Sequence, residues 1–227
     1  MPKVKMARKS THIDMTAMCD VAFLLLSFFM LATKFKPEEP VVVQTPSSIS
    51  QITLPDTSIM LITIDPKDRV FFTIDRKNVA ATGGKDSRMG LINDMDEFKK
   101  LGLTDEEKMK FVKGASIGVP LNQLKSYLAQ DGATQKEIEK TAPGIPVDTS
   151  ADAPNNELSA WIQVARNNNP NLRICIKADA QTTFPGYHRV LNTLSGMKIN
   201  SFNLITNLQA IPPGTAAYEN AQKGIVN

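Results

Sequence analysis

The chain has 227 residues, which is enough for one ordinary domain or two small ones. Charged residues make up 22% of the sequence and the formal net charge is +3, a balance too mild for a nucleic-acid-binding protein or a polyelectrolyte tail. Two cysteines and two histidines are too few for a disulfide framework or a zinc cluster, so we expect no bound metal.

The first predicted element is a helix long enough to cross a membrane. Fourteen of the 17 residues over 17–33 are apolar, and no later run approaches that length. A helix over residues 16–35 would be about 30 Å long, which matches the hydrocarbon core of a bilayer. We therefore predict a cytoplasmic tail over residues 1–13 and a transmembrane helix over residues 14–36.

Basic residues on either side of this helix predict its orientation. Lysines and arginines cluster before it, whereas lysines and glutamates mix after it; the residues are Lys3, Lys5, Arg8 and Lys9, then Lys34, Lys36, Glu38 and Glu39. Because the more basic flank stays in the cytoplasm, we expect the N-terminus inside. The chain would then cross a bacterial inner membrane once and place about 190 residues in the periplasm.

A cleavable signal peptide is the alternative interpretation of the same segment. The position, the basic start and the apolar run all fit such a peptide. The run is long, however, it contains an acid, and Leu31-Ala32-Thr33-Lys34 is a poor cleavage site. We expect an uncleaved anchor, whereas a secreted protein would have its mature N-terminus after residue 33.

Asp20 is the most informative residue of the apolar segment. A carboxylate inside hydrocarbon costs about 2.5–3.5 kcal/mol on insertion scales, so such residues usually face protein or water and mark ion pathways. A low dielectric favours the neutral carboxyl group, which could hold a proton and release it on meeting water. The alternative is that Asp20 lies near the cytoplasmic interface and reaches water there.

The polar residues of this helix are predicted to share one face. At 100° per residue, Thr16, Asp20 and Ser27 fall within about 40° of one another. Phenylalanine, leucine, valine and methionine occupy the rest of the circumference. A single helix cannot form a proton path, so this polar stripe of Thr16, Asp20 and Ser27 should face a second copy of the chain or a multi-span protein.

Residues 14–30, DMTAMCDVAFLLLSFFM, resemble the membrane signature of the ExbD/TolR family. That signature reads Asp-Met-Thr-Pro-Met-x-Asp-x-x-Phe-Leu-Leu-Leu-x-Phe-Phe-Met, and this chain has Ala17 where the family usually has proline. The resemblance implies that Asp20 is the proton-accepting carboxylate of an energy-transducing inner-membrane complex. Protons would be the coupling ion, and no other cofactor is expected.

The same resemblance implies particular partners. Two ExbD-like helices of a homodimer lie inside a pentameric pore of an ExbB-like protein, and proton flow drives a movement that is passed to TonB. TonB in turn opens outer-membrane transporters. In the TolQ–TolR branch the motor instead energises envelope constriction, and peptidoglycan is a further partner that stays open. The wording of the membrane motif favours the TonB branch, although the domain predicted over residues 58–210, here called the outer domain, is compatible with both branches.

Residues 37–57 are predicted to form a flexible periplasmic linker, because prolines and serines are frequent in them. Fully extended, about 20 residues reach roughly 65 Å, which lifts a following domain clear of the membrane. Within this segment Ile52, Leu54 and Pro55 resemble the hydrophobic-x-Leu-Pro motif that precedes the family's periplasmic domain. We therefore assign these three residues to a partner-binding motif.

An α+β domain is predicted over residues 58–210. Strand patterns cover 58–64, 70–74, 172–178 and 202–206, and helical patterns cover 157–166 and 187–197. This ββαβαβ order resembles the small sandwich of the family's periplasmic domain. Ile176-Lys177-Ala178-Asp179 and Phe184-Pro185-Gly186-Tyr187 resemble its C-terminal signature.

Residues from about 80 to 154 are predicted to be an insertion relative to compact members of the family. Thr104-Asp105-Glu106-Glu107 is a capping box that begins one helix, and Leu121, Leu124 and Leu128 share a face of another. We expect these charged helices to be a solvated elaboration or an added docking surface. Alternatively, the helix with the three leucines is the family's first helix, which would shift the insertion.

The sequence offers no catalytic residues that we would assign. It has no G-x-x-x-x-G-K-[ST] phosphate loop and no H-E-x-x-H motif, so we do not expect an enzyme. A passive, membrane-anchored periplasmic binding module is the remaining alternative, in which Asp20 would be an assembly contact only. Residues 211–227 are predicted to be a flexible tail.

Overall fold

The structure is a computed structural model that describes residues 15–32, 41–49, 58–74, 87–114, 116–148, 153, 155–210 and 214–215. The chain divides into two compact units, residues 1–38 and residues 39–227. The tail predicted over 1–13 lies outside the described residues. So does the tail predicted over 211–227, apart from residues 214 and 215.

The described part of the first unit is one helix, α1 (Met15–Ala32), of 18 residues. Leucine, methionine and alanine favour a helix here, and no glycine or proline interrupts it. Among the described residues, α1 is the one helix that is long and apolar enough to cross a membrane. Of the helix predicted over 14–36, residue 14 and residues 33–36 lie outside the described part.

The described part of the second unit mixes strands and helices, as expected of an α+β domain. Its strands are β1 (Ser47–Ser48), β2 (Ile59–Ile64), β3 (Val70–Ile74), β4 (Arg173–Ala178), β5 (Asn203–Leu204) and β6 (Asn207–Leu208). Its helices are α2 (Ser87–Lys99), α3 (Asp105–Lys113), α4 (Leu121–Ala129), α5 (Gly132–Thr141), α6 (Glu157–Asn168) and α7 (Phe184–Gly196).

Four of the strands form the main sheet, in the order β3-β2-β4-β5. β2 pairs antiparallel with β3 and parallel with β4, and β4 pairs parallel with β5. On β2, Met60, Ile62 and Ile64 are fully buried, which is the alternation expected of a strand with one face on a core. The hydrophobic core therefore lies against this face of the sheet.

Aromatic rings join the sheet to the helices in this core. Trp161 on α6 is fully buried. Its ring centroid lies 4.8 Å from that of Phe72 on β3 and 5.9 Å from that of Phe111 on α3. Trp161 therefore links three elements that are distant in sequence. Aromatic pairs at these separations stabilise the fold beyond the burial of their surface area.

The insertion contributes to this same core, whereas the sequence analysis expects its helices to be a solvated elaboration. Leu91 and Ile92 of α2, Phe111 of α3, and Leu124 and Leu128 of α4 are buried in one hydrophobic cluster with the strands. The charged residues of these helices are exposed or half-buried, apart from the buried Arg88 and Glu107. The sequence pattern shows that these helices are amphipathic. It does not show that their apolar faces pack on the core of the domain.

The insertion also covers the outer edge of β3. Phe72 and Ile117 exchange two backbone hydrogen bonds of 2.9 Å, and the amide of Ile145 donates to the carbonyl oxygen of Val70 over 2.8 Å. An edge strand otherwise presents unpaired N–H and C=O groups that can recruit another chain. These three bonds occupy backbone groups on the free edge of β3, so another chain cannot pair with them.

The helix signals predicted within the insertion are confirmed. The backbone amide of Glu107 donates to Thr104 Oγ1 over 3.3 Å, and the amide of Thr104 donates to the Glu107 carboxylate over 2.8 Å. This is the reciprocal capping box at the start of α3. Leu121, Leu124 and Leu128 are buried on one face of α4, as their spacing predicts.

Residues 41–49 differ from the flexible linker predicted over 37–57, because they lie against the outer domain. β1 pairs in parallel with β6, and the amide of Gln44 donates to the Asp179 carboxylate over 2.7 Å. Val43 and Thr45 are buried. The segment satisfies its backbone on the domain rather than in water, which composition alone does not indicate. The remainder of the predicted linker lies outside the described residues.

Candidate functional site in the apolar helix

The candidate site is built around Asp20, the carboxylic acid of α1. It lies five residues after Met15, which places it about 8 Å along the helix axis from the first residue. No residue of α1 is buried. An apolar surface of this length must be covered by lipid or by other protein, so Asp20 lies in a helix that is built for a non-aqueous environment.

The polar stripe of Thr16, Asp20 and Ser27 runs along one face of α1, because the three residues are about one and two helical turns apart. The Ser27 hydroxyl donates to the carbonyl oxygen of Leu24 over 3.0 Å. This bond satisfies the hydroxyl within the helix, as is common for serine in apolar helices. Ser27 is half-buried, whereas the other residues of α1 are exposed.

The carboxyl group of Asp20 is the part of the stripe that can change its charge. Among the residues that the structure describes, none forms a hydrogen bond or an ion pair with it. In an apolar environment an unpartnered carboxyl group favours its neutral form, while the ionised form requires water or a polar protein wall. Asp20 is therefore the position of α1 at which we expect a polar partner outside the helix.

The predicted site residues that the structure describes are thus all on α1. Ile52, Leu54 and Pro55, the predicted partner-binding motif, lie outside the described residues.

Two buried aspartates of the outer domain are structural. Asp65, after β2, accepts hydrogen bonds from the Arg69 amide over 2.8 Å and from Arg69 Nε over 2.7 Å. Asp179, after β4, accepts from the amides of Gln44 and Gln181 over 2.7 and 2.8 Å. These bonds hold turns and chain segments together, which is the usual role of aspartate beside a turn.

Two further acids lie between helices, and of these Glu139 is buried and Glu157 is half-buried. Burial raises the pKa of Glu139 on α5, which accepts a hydrogen bond from the Tyr127 hydroxyl on α4. Burial also raises the pKa of Glu157 on α6, which accepts from the amide of Leu121 over 2.7 Å. Both acids connect elements of the insertion to their neighbours. Neither acid is visible in the sequence, because a single acid that faces the interior has no periodic signal.

Residues 114–118, Gly-Ala-Ser-Ile-Gly, match the G-x-S-x-G spacing of hydrolase nucleophiles. In such enzymes the serine lies on an exposed strand-to-helix turn. Here Ser116 is 5% exposed, and Ile117 beside it pairs with β3. Ser116 and Ile117 therefore lie in a buried segment against β3, not on an exposed turn. Within the described ranges, no group of three or more His, Cys, Asp or Glu side chains could hold a metal ion either.

Comparison with protein families matches residues 6–209 to the family described as Biopolymer transport protein ExbD/TolR. The matched range begins before α1 and ends after β6, so it includes Asp20 and nearly all of the described outer domain. No curated protein and no solved structure matches the chain.

Proposed function

The chain belongs to the ExbD/TolR family, and from this premise we propose that it is the proton-carrying subunit of an inner-membrane motor of the ExbB–ExbD type. The family consists of non-enzymatic subunits of biopolymer transport. In our proposal the proton-motive force drives this motor, and the motor powers TonB-dependent transport across the outer membrane.

The observation that carries the proposal is a single carboxyl group, Asp20, on a stripe of polar residues along an otherwise apolar helix. Asp20 binds a proton from the periplasmic side and releases it towards the cytoplasm. When it is neutral, the stripe can pass an apolar wall. When it is ionised, the charge holds the helix against a polar wall, because moving it into hydrocarbon costs about 2.5–3.5 kcal/mol.

The membrane potential supplies enough energy for such a step. One charge that crosses the field gains about 2.3 kcal/mol per 100 mV. A difference of about 1.4 kcal/mol changes an equilibrium tenfold. Each proton that crosses through Asp20 can therefore bias a rotation or a shift of the helix by more than tenfold.

The proposed partners follow from the composition of α1, which is apolar except for its polar stripe. Its exposed apolar circumference and its single carboxyl group require a surrounding wall, which we assign to a pentameric, multi-span ExbB-like protein. A second copy of the chain supplies a second α1 within that wall. The outer domain passes the movement to a TonB-like protein. In the alternative, a TolR-like subunit passes it to the Tol system of the envelope.

The test is Asp20→Asn, which keeps the size of the side chain and removes its titration. We expect loss of iron–siderophore uptake in cells whose only copy of this chain is the variant, because the amide that replaces the carboxyl group cannot bind and release a proton. Asp20→Glu should retain partial uptake, since it keeps the carboxyl group. Cys19→Ala is the matched control, because residue 19 faces about 100° away from the stripe.

Three readouts separate the possible outcomes. Uptake at the wild-type rate in Asp20→Asn, with the variant present in the membrane, would contradict the proton-carrying role. Normal uptake but defective cell constriction would assign the chain to the Tol branch. Purification of the wild-type chain without a multi-span partner would favour a passive anchored module.

A further inference from the structure

A cavity of about 240 Å³ opens in the outer domain, at the junction of the insertion with the rest of the fold. Asp68 and Val70 line it from the hairpin of β2 and β3, Arg189 lines it from α7, and the loop after α5 supplies Pro146 and Asp148. Since a water molecule occupies about 30 Å³ in the liquid, the cavity has room for a small organic molecule.

The guanidinium group of Arg189 is the unusual feature of this cavity. Arg189 is half-buried, and among the described residues no group forms a hydrogen bond or an ion pair with its side chain. Arg69, in contrast, binds the Asp65 carboxylate and the carbonyl oxygens of Lys140 and Ala142. Arginine stays charged in proteins, so a half-buried guanidinium without a partner favours an oxyanion beside it.

Buried hydrogen bonds fix the wall behind Arg189. Asn156, which is 4% exposed, donates from Nδ2 to the hydroxyl of Thr193 over 2.8 Å and to the carbonyl oxygen of Asp148 over 3.3 Å. Thr193 lies one turn after Arg189 on α7 and is fully buried. The cavity is therefore preformed, which reduces the entropy that a ligand has to overcome on binding.

The other lining residues limit the charge of the ligand. Asp68 accepts hydrogen bonds from the amide and the hydroxyl of Thr183, over 2.9 and 2.6 Å, and Asp148 adds a second acid to the wall. Two acids repel a dianion such as phosphate more strongly than a monoanion, and a single carboxylate can pair with the fork of Arg189. Pro143, Pro146 and Val147 offer an apolar wall for the rest of a small molecule.

We propose that this cavity binds a small monocarboxylate with a compact apolar body, held by its carboxylate on Arg189. The carboxyl end of a short peptide and a free amino acid share this chemistry. Such a site is independent of Asp20 and would add recognition of a small ligand to the outer domain of the motor subunit.

The experiment uses the full-length chain in detergent micelles and follows the dipeptide alanyl-alanine by ligand-observed NMR. We expect saturable binding at concentrations up to about 10 mM. Arg189→Gln should weaken it at least about tenfold, because the charge-assisted pair is lost. Arg189→Lys keeps the charge without the planar fork and should give an intermediate affinity.

Matched controls separate a specific site from general attraction. Arg166→Gln removes a half-buried arginine of α6 that does not line the cavity, and should leave the affinity unchanged. Alanyl-alanine amide lacks the carboxylate. Its affinity for the wild-type chain should therefore be no higher than the affinity of alanyl-alanine for Arg189→Gln. Tighter binding of the dipeptide than of free alanine would identify a peptide end as the source, and the reverse would identify an amino acid.

Three results would overturn the proposal. These are no saturable binding of either probe to the wild-type chain, equal affinity of wild type and both Arg189 variants, and inorganic phosphate binding as tightly as alanyl-alanine. Circular dichroism of each variant confirms that the loss of binding does not come from unfolding.

Discussion

Among single residues, Glu139 should make the stability of the outer domain depend on pH. Burial raises its pKa above the ordinary value of 4.5, so above that pH the folded state binds more protons than the unfolded state. The free energy of unfolding contributed by this group is therefore complete below pH 4.5 and falls as the pH rises through the raised pKa. Burial and Glu139 also raise the pKa of Tyr127, which keeps its hydroxyl neutral as a donor.

Glu139→Gln tests this dependence, because the amide oxygen can still accept the hydrogen bond of Tyr127 but cannot ionise. We expect the free energy of unfolding of the variant to fall less than that of wild type between pH 4.5 and about 7.5. Urea unfolding followed by the fluorescence of Trp161, the single tryptophan, measures it. Glu137→Gln, on the exposed face of the same helix, should keep the wild-type slope. Equal slopes for wild type and Glu139→Gln would contradict the assignment.

Gly118 is a position where any side chain should destabilise the fold. A Cβ atom there would lie 2.0 Å from Cδ1 of Phe71, whose ring is 1% exposed and cannot move away freely. We expect Gly118→Ala to lower the free energy of unfolding by about 1–3 kcal/mol, as overpacking does. Gly132→Ala is the control, because no atom lies within 4 Å of its added Cβ. A smaller loss in Gly118→Ala than in Gly132→Ala would show that the backbone yields.

At the scale of elements, the insertion should behave as part of the core. Phe111 on α3 is 4% exposed and stacks on Trp161, whereas Met109 on the same helix is 46% exposed. We expect Phe111→Ala to lower the free energy of unfolding by about 3–5 kcal/mol. Met109→Ala should change it by less than about 0.5 kcal/mol. Chemical unfolding of both variants measures these changes. Small and nearly equal losses of the free energy of unfolding would instead indicate that α3 is a solvated elaboration.

The sequence predicts most elements of this chain, because strand alternation, helical periodicity and capping are local patterns. The sequence also identifies Asp20 as a candidate site residue, since an acid within an apolar run can be recognised without a structure. It does not predict that the insertion covers the edge of β3, or that Arg189 lines a cavity. Both depend on contacts between residues far apart in the chain, such as Phe72 with Ile117, which leave no mark in a single sequence.

At the scale of the whole molecule, the proposed function requires α1 to span the inner membrane and the outer domain to lie in the periplasm. Asp20 can draw on the proton-motive force only if α1 spans the membrane. The outer domain can reach a TonB-like protein only from the periplasm. The basic residues before α1 favour that orientation, with the N-terminus in the cytoplasm.

Cysteine labelling with a membrane-impermeant maleimide tests this orientation. In a Cys19→Ala background, Ser201→Cys places a thiol at an exposed position before β5, and Ser10→Cys places one before α1. The remaining Cys175 is fully buried and should not react in the folded protein. We expect Ser201→Cys to react once the outer membrane is permeable, and Ser10→Cys to react only after the inner membrane is opened. The reverse order would mean that α1 crosses the membrane in the opposite direction. Release of the outer domain without α1 would identify a cleaved signal peptide.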